Sequence, residues 1–344
     1  MDGEQAMFRK FGLLASVATV ALGFTPAHAT LSVFLNTPSA ALTTDGWADG
    51  KSPGVLNANV AAGSTVLSAY LYSADVWGSN PASATITFQG NTLNWASGTL
   101  LAPDANPANT RRFDVTSIVK PLIEQTAFTI SENGSLDGEA LVVVYQNAST
   151  IGNAIIMDGE LATTGDTTTL NFTSPYAGGS VLMSLADSFS YNGNGTSNSS
   201  GQVSLIDVST NTHPALRRLT SCAGGNDDGN FMAADGSLIT VGGHGDNPAN
   251  PDPSCAGGAG DDELYDLSLG NSNDSTAFLN IGDTSITFRT NNPTNDDNIF
   301  ALFFTTPQTV IVTPGPDPVP EPATLVVLGV GLAGLGVIRR RKLG

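Results

Sequence analysis

Asp137-Gly138-Glu139-Ala140-Leu141-Val142-Val143-Val144-Tyr145 sets the class of this chain. Its centre, Leu141 to Val144, is a continuous apolar run rich in β-branched residues, which suits a strand buried on both faces. A second stretch, Asp296-Asp297-Asn298-Ile299-Phe300-Ala301-Leu302-Phe303-Phe304, has the same make-up, an acidic or polar entry followed by an unbroken apolar run. Around them lie shorter runs at residues 65–73, 84–88, 127–131, 180–185, 202–208, 238–241 and 284–289, with Gly, Asn, Asp and Pro between them. Thr85-Ile86-Thr87-Phe88 and Thr284-Ser285-Ile286-Thr287-Phe288 alternate polar and apolar, as a strand with one wet face must. One helical turn is expected, at residues 117–122. The fold class is all-β.

The order of these runs repeats. Phe113-Asp114-Val115-Thr116 is echoed by Tyr265-Asp266-Leu267-Ser268, the strand through Thr129 by the strand through Thr287, and the opening stretch by its counterpart at 296–304. Similar order at similar spacing predicts two tandem β-sandwich domains, residues 30–148 and 149–312, related by duplication. The halves differ in length at one place. The interval from Ile86 to Asp114 is less than half as long as the matching interval from Val203 to Asp266. The excess in the second half coincides with an inserted loop, 222–255, dominated by Gly, Asn and Asp. After it and the last strands, residues 313–320 are rich in proline and predict an extended, polyproline-like linker.

Both ends of the chain read as export signals. Arg9-Lys10, the apolar run 11–24 and Pro26-Ala27-His28-Ala29 form a signal peptide, residues 1–29, with cleavage expected after Ala29 and Met7 the more natural start. Of the 31 acids and 13 bases, 29 acids and seven bases fall in residues 30–322, a net charge of −22. Such a body keeps itself soluble, attracts divalent cations and repels nucleic acid, whose phosphates require a basic face. At the other end stand Pro320-Glu321-Pro322, an uncharged run at 323–338 and Arg339-Arg340-Arg341-Lys342. Sixteen helical residues reach roughly 24 Å at about 1.5 Å each, a marginal membrane span. The basic cluster keeps its own side cytoplasmic and leaves the body outside.

That tail resembles the PEP-CTERM sorting tail: Pro320, Glu321 and Pro322, then a short apolar transmembrane helix, then Arg339, Arg340 and Arg341. The resemblance covers residues 319–344. It implies an exosortase-type processing enzyme as partner, a transient inner-membrane anchor and removal of the tail near Pro320-Glu321-Pro322. It also implies a destination at the cell surface or extracellular matrix of a Gram-negative bacterium that makes exopolysaccharide, as in a biofilm.

Little in the body points to catalysis. His213 precedes a proline, His244 lies in Gly242-Gly243-His244-Gly245-Asp246, and no Gly-x-Ser-x-Gly elbow or His-Glu-x-x-His pair occurs. The chain is expected not to be an enzyme and to need no cofactor. Trp47, Trp77 and Trp95 are read either as rings facing a sugar or as covers for the sandwich ends. Gly257-Gly258-Ala259-Gly260-Asp261-Asp262-Glu263-Leu264-Tyr265 matches the calcium-binding nonapeptide of stacked β-rolls, but as a single copy it lacks the adjacent turn that completes such a site.

Cys222 and Cys255 are the only cysteines, each inside a Ser-Cys-Ala-Gly-Gly stretch. In an exported body they predict a disulfide closing a loop of about 34 residues, with a chain-entropy gain of roughly 3–4 kcal/mol. A zinc site needs two further ligands, and only His213 and His244 are obvious. The bond brings Asp227 and Asp228 toward Asp261 and Asp262, a carboxylate group suited to calcium. The reading from sequence is therefore a structural or adhesive exported protein associated with exopolysaccharide; the alternative is a calcium-dependent carbohydrate-binding module on a cell-surface glycan.

Overall fold

The computed structural model describes residues 31–48, 53–76, 81–101, 108–122, 125–134, 136–161, 165–188, 204–223, 239–249, 263–291 and 298–312. In chain order its strands are β1 (Ser32–Pro38), β2 (Ala41–Ala48), β3 (Gly54–Asn57), β4 (Thr65–Val76), β5 (Thr85–Phe88), β6 (Asn91–Asn94), β7 (Thr99–Leu100), β8 (Ala108–Asp114), β9 (Ala127–Asn133) and β10 (Gly138–Gln146). There follow β11 (Asn153–Asp158), β12 (Thr167–Phe172), β13 (Leu182–Ser188), β14 (Ser204–Thr210), β15 (Arg217–Ala223), β16 (Ile239–Val241), β17 (Leu264–Asp266), β18 (Ser285–Asn291), β19 (Asn298–Thr305) and β20 (Val310–Val312). The expected helical turn is α1 (Thr116–Val119), continued by a 3₁₀ turn to Leu122.

These strands make four sheets, two inner and two outer. The first inner sheet has the order β2-β10-β4-β8-β7 and the first outer sheet β3-β9-β5-β6. The second inner sheet runs β1-β11-β19-β13-β16, with β17 also on β13, and the second outer sheet β15-β14-β18-β12-β20. Three cores separate the four layers. Leu141 and Val143 of β10 point into the core of the first sandwich, whereas Ala140, Val142 and Val144 point into a central core shared by the two inner sheets. On β19, Leu302 and Phe304 enter the second sandwich's core while Phe300 and Phe303 enter the central one. The unbroken apolar runs are thus double-sided because each face meets a different core, while the outer strands β5, β12, β14 and β18 alternate buried and partly wet.

Strand neighbours recur in the two halves. The order β2-β10-β4-β8 is matched by β11-β19-β13-β17, and β3-β9-β5-β6 by β12-β18-β14-β15. The sequence echoes fall on matching strands, β8 with β17, β9 with β18 and β10 with β19.

β1 departs from a simple division at residue 148. It pairs with β11, Ser32 opposite Asp158 and Pro38 opposite Asn153, and so lies in the second inner sheet although it precedes the first half in sequence. Ser39, at φ 52°, and Ala40, whose N–H donates to Gly152 O at 3.2 Å, turn the chain from that sheet into β2 of the facing one. The two sandwiches are therefore fused face to face. Among the described residues, seven of the sixteen buried in the central core are alanines, small enough to let two sheets approach closely. At one side the seam is closed by polar groups. The Arg112 guanidinium pairs with Asp158 of the facing sheet, Tyr72 Oη donates to the same carboxylate at 2.8 Å, and Arg112 lies 3.3 Å from the centroid of the Phe34 ring on β1.

Candidate functional site

The sorting residues Pro320, Glu321, Pro322, Arg339, Arg340 and Arg341 lie outside the described residues, as do the signal peptide and the apolar run 323–338. Among the described residues no helix is long and apolar enough to cross a membrane. What the structure shows is the point from which the tail departs. β20 pairs with β12 at the edge of the second outer sheet, and Asn36 Nδ2 of β1 donates to Val310 O at 3.0 Å. Thr173 Oγ1 holds Thr309 O at 2.8 Å. The first and last strands of the body are thereby tied to each other.

Asp227, Asp228, Asp261, Asp262 and Cys255 also lie outside the described residues; of Cys222 the backbone alone is described, within β15. The segment 222–255 is not all loop. β16 lies within it and sends Ile239 and Val241 into the central core. β16 and β17 lie end to end on the edge of β13: Val241 faces Ala186, Leu264 faces Ser184, and between them Gly242 N donates to Leu185 O at 3.0 Å and Leu185 N to Glu263 O at 2.9 Å. Together they fill the place that β8 fills alone on β4, as one strand interrupted by the excursion 243–262. The two rims of the interruption touch, and a Cβ on Gly242 would strike the Glu263 carbonyl. Glu263 is fully buried, its Oε2 accepting from Thr240 Oγ1 at 3.0 Å, and Tyr265 enters the second core. The nonapeptide therefore ends inside a sheet, held there by ladder bonds and packing. Among the described residues no three His, Cys, Asp or Glu side chains are grouped to hold a metal.

The first turn of the excursion docks on the other half. Gly243 packs on Thr44, His244 N donates to Thr44 O at 3.0 Å, and the hydroxyls of Thr44 and Ser184 both donate to Gly242 O. Next along β2, Asp45 is buried and its carboxylate accepts the N–H and the side-chain amide of Asn57, the latter at 2.9 Å. Burial pushes Asp45 up to about 6, against the hydrogen bonds from Asn57 and the neighbouring His244, which pull it down. Beside this contact a cleft of about 180 Å³ opens at the seam, lined by polar Thr43, Thr44, Asn59 and Ser184 and by apolar Leu264 and Phe303. It is smaller than the roughly 300–1,000 Å³ of ordinary small-molecule sites.

Trp47 and Trp95 are buried in the core of the first sandwich, Trp95 with the Arg111 guanidinium 5.5 Å from its ring; Trp77 lies outside the described residues. His213 sits exposed on the β14–β15 hairpin, 3.0 Å from the Thr212 hydroxyl. Sequence reasoning missed the seam group of Arg112, Asp158 and Tyr72. A signal was present in the scarcity of bases: four of the seven between residues 30 and 322 are the pairs Arg111-Arg112 and Arg217-Arg218. In the structure each member of both pairs meets an aromatic ring, a carboxylate or both.

A search of curated proteins found no match to this chain. Comparison with protein families found the PEP-CTERM protein-sorting motif at residues 318–342. The match begins shortly beyond β20 and covers the tail alone. Such a motif implies export, a transient membrane anchor before cleavage and processing by an exosortase-type enzyme. The chain carries a PEP-CTERM sorting motif as its C-terminal tail.

Proposed function

We propose that this chain is a non-enzymatic structural or adhesive component of the cell surface or extracellular matrix, associated with exopolysaccharide and released from its anchor by an exosortase-type enzyme. The observation that carries the reading is the sorting motif at 318–342, set just past an all-β body that closes on β20. The matching strand orders support a tandem duplication, with the halves fused through the inner sheets. A body with three cores and an alanine-rich seam suits a load-bearing or display role, since dense packing makes it stiff.

Mass spectrometry of the exported protein tests the processing step. The mature chain is expected to end near Pro322 and to lack residues 323–344, and replacing Glu321 or deleting residues 339–342 is expected to leave a membrane-retained precursor. An intact C-terminus on exported protein overturns it. The second reading, a calcium-dependent carbohydrate-binding module braced by a Cys222–Cys255 bond, draws support from the close approach of Gly242 to the Glu263 main chain, the two rims between which the excursion 243–262 leaves and rejoins the sheet. Saturable binding to exopolysaccharide that EDTA abolishes would favour it, and two free thiols in the exported protein would remove the bond.

A further inference from the structure

β1 joins the two halves, and the groups that hold it lie beyond its own hinge. Its residues Ser32 to Pro38 pair with Asp158 to Asn153 of β11. Phe34 meets Tyr70 edge-on, the ring centroids 4.9 Å apart, and also takes the Arg112 guanidinium, while Asn36 accepts from Asn153 Nδ2 and donates to Val310 O. Leu31, just before the strand, is fully buried in the core of the second sandwich. Across the contact, Ile155, Ile156 and Met157 of β11 have no exposure at all. Without β1 they would form an apolar sheet edge with open main-chain groups, and such an edge recruits a strand.

What ties β1 to its own body is two residues, Ser39 and Ala40. Ser39 stands at φ 52°, in the left-handed region that side chains other than those of Asn and Asp seldom adopt. The Thr150 hydroxyl holds Ser39 O at 2.8 Å, and Ala40 N donates to Gly152 O, which keeps the turn closed. Straightening Ser39 releases the left-handed residue and swings the strand away from its own β11. A short strained hinge beside one complete strand favours exchange of that strand between identical molecules.

We propose that β1 is exchanged between copies of this chain, the β1 of one copy seating on the β11 of another in the same register, Ser32 opposite Asp158 and Pro38 opposite Asn153. The partner is a second copy, and the interface is the one already built within a single chain, so no new surface has to be made complementary. The seven residues of the strand reach about 23 Å at roughly 3.3 Å each, which sets how far apart the two bodies stand. Each copy offers one donor strand and one seat, so the contact either closes reciprocally on a pair or runs on as a row. Stacking of a further strand on the outside of β1 is blocked. Thr306 N donates to Asn153 O and Gly159 N to Phe300 O, so the odd-numbered residues of β11 turn their main-chain groups toward β19. Pro38, opposite Asn153, therefore turns its nitrogen to the outer edge, where an added strand would need an N–H.

Two variants of the exported protein test this, one with Thr37→Cys and one with Ala154→Cys, mixed unfolded, refolded together and oxidised. Thr37 and Ala154 are opposite each other, and the Cα atoms of such a pair lie about 4.5–5.5 Å apart, within reach of a disulfide. Neither chain carries both new cysteines, so a bond between the two positions forms only between copies, and Ala154, fully buried, is reached only from the seat of β1. Mass spectrometry is expected to find that bond, in a share that rises with protein concentration during refolding. Ser39→Pro, whose ring holds φ near −65° and forbids the closed turn, is expected to raise the share roughly tenfold or more, and Ser39→Gly, at ease in the left-handed region, to lower it. No bond between positions 37 and 154 at any concentration overturns the proposal. A yield that is the same with Ser39→Pro and Ser39→Gly overturns it too, because the hinge would then play no part. The cysteine pair decides by itself should Ser39→Pro fail to fold.

Discussion

Asp45 shows what a single buried carboxylate does to this body. It keeps its proton up to about pH 6 in the folded protein but only to about 3.8 in an unfolded chain. Below that window the group is neutral in both states and has no effect. As pH rises through it, the unfolded chain releases the proton first, so folding loses stability, and above pH 6 the loss is complete, on the order of 3 kcal/mol. Asp45→Asn keeps an acceptor for Asn57 N–H without the charge. It should match the parent near pH 3.5 and exceed it at pH 7, as read from urea midpoints at the two pH values; a gap that does not change with pH would contradict this account. Asp158 is raised in the same direction by burial, although Arg112 and Tyr72 pull it back. Neither role was legible in the sequence, where an isolated Asp in Thr44-Asp45-Gly46 looks like a surface turn. The burial of Asp45 comes from packing by β3 and by an excursion that belongs to the other half of the chain.

Among the elements, β10 and β19 were the most legible, because a short apolar run without alternation, rich in β-branched or aromatic residues and entered through Asp, Asn or Gly, suits a strand covered on both faces. Gly138 opens β10 at φ 143°, and a Cβ there would collide with Trp47 O, so even the Asp-Gly entry has a steric reason. The split of one strand into β16 and β17 was not legible. The excursion 243–262 between them carries the composition of a loop, and only the ladder on β13 shows that its ends meet. Gly242→Ala tests that meeting. The added methyl strikes main-chain atoms of Glu263, which have nowhere to go, and should cost about 1–3 kcal/mol. Hydrogen exchange at Leu185, whose amide bonds to Glu263 O, should speed up more than exchange at Val143 on β10. Uniform acceleration would mean that the excursion has no base of its own.

At the scale of the whole molecule the sequence led to an all-β body, which the strands show, but not to the facing of its two inner sheets. The alanines of the central core are spread over the chain, from Ala40 to Ala301, and become a seam only when the inner sheets face each other. Ala301→Leu should wedge that seam at a cost of about 1–3 kcal/mol, lowering the thermal midpoint, whereas the same volume added on an exposed outer-sheet position such as Thr129 should leave it near the parent value. If both behave alike, the inner sheets are not in close contact. β1 carries a further consequence, one of time. A chain exported from its N-terminus delivers β1 first, yet its partner β11 follows only after every strand of the first sandwich, and the strand that completes the inner sheet, β19, is the last but one to emerge. Pairings so distant in sequence form late. On the export route that the sorting motif implies, the body therefore shuts only when that motif is next to leave, which puts closure of the inner sheet within the life of the transient anchor.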